Sequence, residues 1–247
     1  MKTFAITDTG ISRDSNQDYI YSNELSVGNL DNLFIVADGM GGHQGGDIAS
    51  RIAAESIVDF AGKTKSDKPI EILRTAVEAA NERVAREARA DKDLEDMGTT
   101  VVAATISGNQ LYLANVGDSR LYIIHDYIEQ ITKDHSLVDE MVRSGSISKE
   151  EARFHPKKNI ITRAVGTSEG VLVDMFQVTL EKGDLILMCT DGLTNMVEDD
   201  DIYILIRQQR DIAGMAEQLV KSANDNGGKD NISLIIIDPF SDEVKTC

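Results

Sequence analysis

The aspartates of this chain recur in one setting. "LFIVAD" ends an apolar run on Asp38, "LILMCTD" ends another on Asp191, Asp118 follows "LYLANVG", and Asp230 stands just ahead of "ISLIIID". Asp18, in "SRDSNQD", opens a further run. A strand that buries Phe34, Ile35, Val36 and Ala37 has no structural use for a charge at its tip. Any single Asp-Gly pair, such as Asp38-Gly39 or Asp191-Gly192, reads as a turn; the repetition at strand ends reads better as a set. Carboxylates held near one sheet edge repel one another and resist desolvation unless a cation pairs them. Oxygen-only donors select hard divalent ions such as magnesium or manganese. Glycine after the aspartate lets backbone carbonyls approach such an ion without a Cβ in the way. His43, His125, His135 and His155 are scattered, so no zinc-type cluster is read.

The elements that must hold these groups follow from periodicity. Strand-like runs lie at 3–7, 18–22, 33–37, 100–106, 110–116, 120–125, 171–179, 184–190 and 232–238. "SGNQ" (107–110), "GDSR" (117–120) and "EKGD" (181–184) carry hairpin punctuation. Residues 70–92 place Leu73, Ala76, Val77, Ala80 and Val84 on one helical face, and 47–61 and 211–223 read similarly. Strand and helix do not alternate strictly, which argues against a doubly wound parallel sheet and for α+β layers of antiparallel sheets with helices outside. The polar stretch 134–166, with short helical pieces, reads as a surface excursion near the strand ends. The acidic run Glu198–Asp201 reads as a helix N-terminus, where the dipole favours negative charge.

Composition narrows the function classes. The 247 residues fit one large domain or two small ones, with 41% hydrophobic and 27% charged residues. No run approaches the length of a membrane span, and Asp8 interrupts the opening segment before any signal-peptide core forms. A net charge of −17 repels nucleic acid and anionic membranes. Cys189 and Cys247 make no disulfide framework, which fits a reducing cytoplasm. A cysteine-based phosphatase needs arginine after five intervening residues; counting from Cys189 lands on Asn195. The Asp-x-Asp strand end of phosphoaspartyl transferases is missing from "CTDG" and "VADG".

"RDSNQD" (13–18), "VADGMGGHQGG" (36–46), "MGTT" (97–100), "NVGDSR" (115–120), "CTDGL" (189–193) and "GGKDNIS" (227–233) stand in series. In this order and spacing the chain resembles the compact bacterial members of the PP2C (PPM) family of metal-dependent serine/threonine phosphatases, over about residues 3–238. The resemblance implies a four-layer α-β-β-α sandwich of two antiparallel sheets flanked by helices, with a metal site at one end. It implies a phosphatase domain over 1–240 with a flap insert at about 134–166, and a short tail at 241–247. Asp38 would bridge two manganese or magnesium ions, with the Gly39 carbonyl on one and Asp191 and Asp230 completing the other. Asp18 would hold metal-bound water, and Asp118 with Asp191 a weaker third ion. A hydroxide shared by two ions would attack phosphorus while Arg13 binds the phosphoryl oxygens. Animal members carry a histidine directly after the Asp-Gly pair, where this chain has Met40. His43 or water is then left to protonate the leaving alkoxide. Gln17 stands where animal relatives have a carboxylate. In the flap, Arg153, His155 and Arg163 are candidates to meet phosphopeptide, or else ordinary surface groups.

The implied protein is a cytoplasmic monomer that dephosphorylates phosphoserine and phosphothreonine and opposes a bacterial Ser/Thr kinase, with phosphorylated proteins as partners and neither nucleic acid nor membrane. A phosphoprotein-binding pseudophosphatase and a partner-switching regulator of the same fold are the competing expectations.

Overall fold

A computed structural model of the chain describes residues 1–42 and 45–241. In chain order they form β1 (Lys2–Asp8), β2 (Asp18–Asn23), β3 (Leu33–Met40), α1 (Gly45–Lys63), α2 (Pro69–Ala90), β4 (Gly98–Thr99), β5 (Val101–Ser107), β6 (Gln110–Val116), β7 (Arg120–Ile124) and β8 (Ile128–Gln130). There follow α3 (Leu137–Arg143), α4 (Lys149–Arg153), β9 (Asp174–Thr179), β10 (Leu185–Cys189), α5 (Asp191–Thr194), α6 (Asp199–Gln208), α7 (Ile212–Asp225) and β11 (Ile232–Asp238). One sheet runs β1-β11-β10-β7-β8 and the other β2-β3-β5-β6-β9, with β4 added on β3. All these pairings are antiparallel.

The continuous apolar runs reflect burial on both faces of each sheet. Along β3, Phe34 and Val36 face the other sheet, where they meet Leu113, Ile186 and Ile235. Leu33, Ile35 and Ala37 face the opposite way, into a cluster with Ala53, Ile57, Leu73 and Val77 of α1 and α2. In the other sheet Leu187, Leu234 and Ile236 face α6 and α7 through Ile202, Ile206, Ala216 and Leu219. Successive residues point to opposite faces, so each central strand serves two apolar layers and has no room for polarity except at its ends. This is the four-layer sandwich.

Two expected hairpins are not hairpins. "SGNQ" does join β5 to β6, but "GDSR" takes the chain from β6 in one sheet to β7 in the other, and "EKGD" does the same between β9 and β10. At the first crossing Gly117 adopts φ +105, and a Cβ there would lie 2.6 Å from the Thr100 side chain. Only glycine lets the chain leave one sheet so close to its neighbour. This crossing puts Asp118 between the sheets. The 134–166 excursion carries α3 and α4 and is pinched at its base. There Ser136 bridges Ile161, and the Thr162 amide donates to the His135 carbonyl at 2.8 Å. The acidic run forms the first turn of α6, with Glu198 at its N-cap. No helix among the described residues is long and apolar enough to cross a membrane.

Phe34 is fully buried between the sheets. Replacing it by alanine is expected to lower the unfolding free energy by about 3–5 kcal/mol, measured by urea denaturation. A loss below about 1 kcal/mol would contradict this packing.

Candidate metal centre

Antiparallel register sets Asp18, the first residue of β2, opposite Asp38 near the end of β3. The backbone at Asp38 is clamped by the "MGTT" segment. Its amide donates to Thr100 Oγ1 at 2.9 Å, while its carbonyl accepts from the Thr100 amide at 2.8 Å and Thr99 Oγ1 at 2.9 Å. The strand does not stop at Ala37 as its apolar run suggests, because Gly39 and Met40 pair on with Thr99 and Gly98. A Cβ on Gly39 would lie 2.0 Å from the Gly46 carbonyl oxygen, so glycine is needed where β3 passes the start of α1. From the other sheet, β10 ends at Cys189 and Asp191 opens α5. A Cβ on Gly192 would lie 1.9 Å from the Asn231 carbonyl oxygen; its absence lets α5 sit against the loop that carries Asp230.

The carboxylates therefore converge from both sheets. Asp191 lies close enough to Asp38 to raise its carboxyl and accepts from Asn195 Nδ2 at 2.7 Å. Asp18 Oδ2 accepts from Thr190 Oγ1 at 2.9 Å. Asp230 accepts from Arg13 Nη2 at 2.8 Å and from the Asn231 amide at 2.9 Å. Asp18 Oδ1 and Asp118 Oδ1 are buried with no hydrogen-bond partner among the described residues. Burial, and secondarily the neighbouring carboxylates, pushes Asp38, Asp118 and Asp191 above the usual carboxylate range. Burial lifts Asp18 to about 7 against the pull of its hydroxyl donors.

A set of carboxyls pushed towards holding protons is one whose burden a bound cation would relieve. The all-oxygen donors and the two orphaned oxygens fit hard divalent ions. Among the described residues no three Asp, Glu, His or Cys side chains are gathered in ligating geometry around one point. Arg13 holds Asp230, Asn195 holds one oxygen of Asp191 and Thr190 holds one of Asp18.

Arg13, half exposed, is thus paired with Asp230. His43 lies outside the described residues. In the flap, Arg163 Nη1 turns to Asp174 Oδ1 at 2.7 Å, and His155 Nδ1 accepts the Lys157 amide at 3.1 Å. Arg153 pairs with Glu198 at 3.1 Å and lines a cavity of about 460 Å³ that reaches Asp118 and Asp191 under the flap. Residue-by-residue reading missed Thr190, Asn195 and Asn231. The signal for Asn195 was present, since it stands four residues after Asp191 where one helical turn brings side chains together. Asn231 ties the Arg13 loop to β11: its Nδ2 donates to the Thr9 and Ser15 carbonyls and its Oδ1 accepts the Gln17 amide.

The family model described as protein phosphatase 2C matches residues 11–233. The serine/threonine phosphatase stp of Listeria monocytogenes is 41% identical, covering 94% of this chain and 93% of its own. The crystal structure of serine/threonine phosphatase Stp1 from Staphylococcus aureus superposes with TM-score 0.89 at 35% identity, over 95% of this chain and 93% of that one. The catalytic domain of serine/threonine protein phosphatase PstP in complex with two manganese ions superposes with TM-score 0.84 at 33% identity, over 95% and 96% of the two chains.

The raised carboxyls have a measurable consequence. Between the ordinary value of 3.8 and about 7, Asp18 binds more protons folded than unfolded. Its stabilising contribution is therefore present at low pH and lost as pH rises through about 7. The metal-free protein is expected to lose Tm from pH 5 to 8, and saturating manganese to restore it. Manganese binding near pH 6.5 should release protons, read by calorimetry in two buffers of different ionisation enthalpy. A flat metal-free Tm with no proton release would contradict this electrostatic account.

Proposed function

The chain belongs to the protein phosphatase 2C family and is a metal-dependent serine/threonine protein phosphatase acting on phosphorylated proteins, and on that premise we propose that its reaction is carried out at the carboxylate end of the sandwich. The observation that supports this reading is the convergence of Asp18, Asp38, Asp118, Asp191 and Asp230 with two buried oxygens left unpaired. Asp38 and the Gly39 carbonyl, with Asp191 and Asp230, would hold two manganese or magnesium ions. Asp18 would orient water beside them, and Asp118 with Asp191 a weaker third ion. When bound, such ions supply a nucleophile at neutral pH and offset the charge that builds on the phosphoryl oxygens.

The residues of the chain do the rest. Arg13 presents a half-exposed guanidinium beside the carboxylates. With Asp230 engaged as a metal ligand the Arg13 fork would be free, and its paired donors match phosphoryl oxygens. The leaving alkoxide takes its proton from His43 or from water. The cavity under the flap accepts the polypeptide on either side of the phosphorylated residue. We take 1–240 as one catalytic domain with its flap at 134–166 and a short tail at 241–247. The protein would act as a cytoplasmic monomer opposing a Ser/Thr kinase, with no nucleic-acid or membrane partner, in keeping with its net charge of −17. A binding-only pseudophosphatase is not favoured, since every carboxylate of the site is present, and the relatives named above speak for a serine/threonine phosphatase over a partner-switching regulator.

The purified protein is expected to hydrolyse a phosphothreonine peptide with manganese or magnesium and to stop with chelator. Asp38→Asn should lower turnover by several orders of magnitude with the fold retained by circular dichroism. Near-normal turnover in this variant would return Asp38 to the role of a strand-end residue.

Arg13→Ala should lower kcat/KM by about 1.5–3 kcal/mol of lost charge-assisted hydrogen bonding. Inhibition by inorganic phosphate should weaken in parallel. Manganese affinity should stay level or rise, because the guanidinium no longer competes for Asp230. Unchanged kinetics, read by steady-state assay, would leave Arg13 as a surface ion pair only.

A further inference from the structure

Asn195 closes the short turn that Asp191 opens, and its amide is read unambiguously. Its Oδ1 accepts from Lys158 Nζ at 2.8 Å, and its Nδ2 donates to Asp191 Oδ2 at 2.7 Å. An ammonium only donates, so Lys158 fixes Oδ1 on its own side and leaves Nδ2 turned to Asp191. The Asn195 amide nitrogen also donates to the Asp191 carbonyl at 2.7 Å, which holds the backbone of the same turn.

Lys158 belongs to a different part of the fold. It lies in the flap, between α4 and the point where the chain returns to pair with Ser136 at Ile161. It is half-buried, and Lys158, Asn195 and Asp191 all line the cavity that reaches Asp118. The base of the flap is tied down by backbone bonds around His135, Ser136 and Ile161. Farther along the flap, Arg153 pairs with Glu198 just before α6, and Lys158 reaches the Asp191 carboxylate through Asn195.

We propose that Lys158 and Asn195 are positioning residues, and that the Lys158–Asn195–Asp191 relay couples the seating of the flap to the orientation of the Asp191 carboxylate. One oxygen of Asp191, Oδ2, is held by the relay. Groups that hold a ligand's outer oxygen commonly tune metal affinity by about 10- to 100-fold. Coupling is reciprocal, so an ion held by Asp191 steadies the flap as much as the flap steadies Asp191. The relay rests on the reading of Asp191 as a metal ligand.

The test uses the full chain, stripped with chelator and titrated with manganese by calorimetry. Asn195→Leu should weaken manganese binding by about 10- to 100-fold. Lys158→Met should weaken it by about two- to thirtyfold, and Lys158→Arg, which keeps the donor, should restore it. The double variant should bind no worse than Asn195→Leu alone, because Lys158 acts through Asn195. Hydrogen exchange supplies the reciprocal reading: manganese should slow exchange across 149–160 in the wild type and not in Lys158→Met. Lys158 is in the flap, away from the core, so its variants keep the test decisive even if Asn195→Leu fails to fold. Wild-type manganese affinity and flap protection in Lys158→Met, or additive losses in the double variant, would overturn the relay alone. Unchanged manganese binding in Asp191→Asn would overturn the metal-ligand reading and the relay with it.

Discussion

Gathering carboxylates at one end of a sandwich is the constraint around which the molecule is organised. Each loses hydration, each raises the energy of the others, and among the described residues Asp18 and Asp118 keep a buried oxygen without a hydrogen-bond partner. Without counter-charge the cheapest response is to hold protons, and the carboxyls of Asp18, Asp38, Asp118 and Asp191 are shifted in that direction. The rest of the structure reads as the means of holding such a set in place. Divalent ions would remove the penalty and would make the same arrangement fit for phosphoryl transfer.

Rigidity comes from the layers. Strands buried on both faces cannot tilt or slip, since a one-residue shift of β3 would exchange Phe34 and Val36 for Leu33 and Ile35 across the sheet. Polar side chains then fasten each strand end. Thr99 and Thr100 grip the backbone of Asp38, Thr190 reaches Asp18, and Asn231 joins the Arg13 loop to β11. Thr100 also meets Ser119 at 2.7 Å, which ties the crossing that carries Asp118 to the strand beside Asp38. The fasteners are short side chains with few rotamers, so little entropy is lost in fixing them.

Legibility followed the physics of each signal. Strands such as β3 and β11 were plain because double-faced burial leaves an unbroken apolar run, and α2 because its apolar face repeats at helical spacing. The aspartates stood out because each interrupts such a run. Whether a Gly-containing turn returns the strand within one sheet or sends it to the other was not legible. "SGNQ" and "GDSR" carry the same local chemistry, and only the packing of the two sheets distinguishes them. The partner of Arg13 was hidden for the same reason, since Asp230 lies 217 residues away in the chain. The family resemblance supplied the grouping of Asp118 with Asp191 that spacing alone could not.

The flap joins this frame at two levels: a base pinned by backbone bonds around His135, and an inner contact through Lys158 to Asn195. The first gives it a fixed root, and the second brings it to the carboxylates over the cavity. The account as a whole stands on the claim that these carboxylates share metal ions. Anomalous diffraction from crystals grown with manganese tests it most directly. The account predicts two strong peaks bridged by Asp38 and reached by Gly39, Asp191 and Asp230, with a weaker third between Asp118 and Asp191. Saturating manganese that leaves this end of the sandwich without a peak would contradict it.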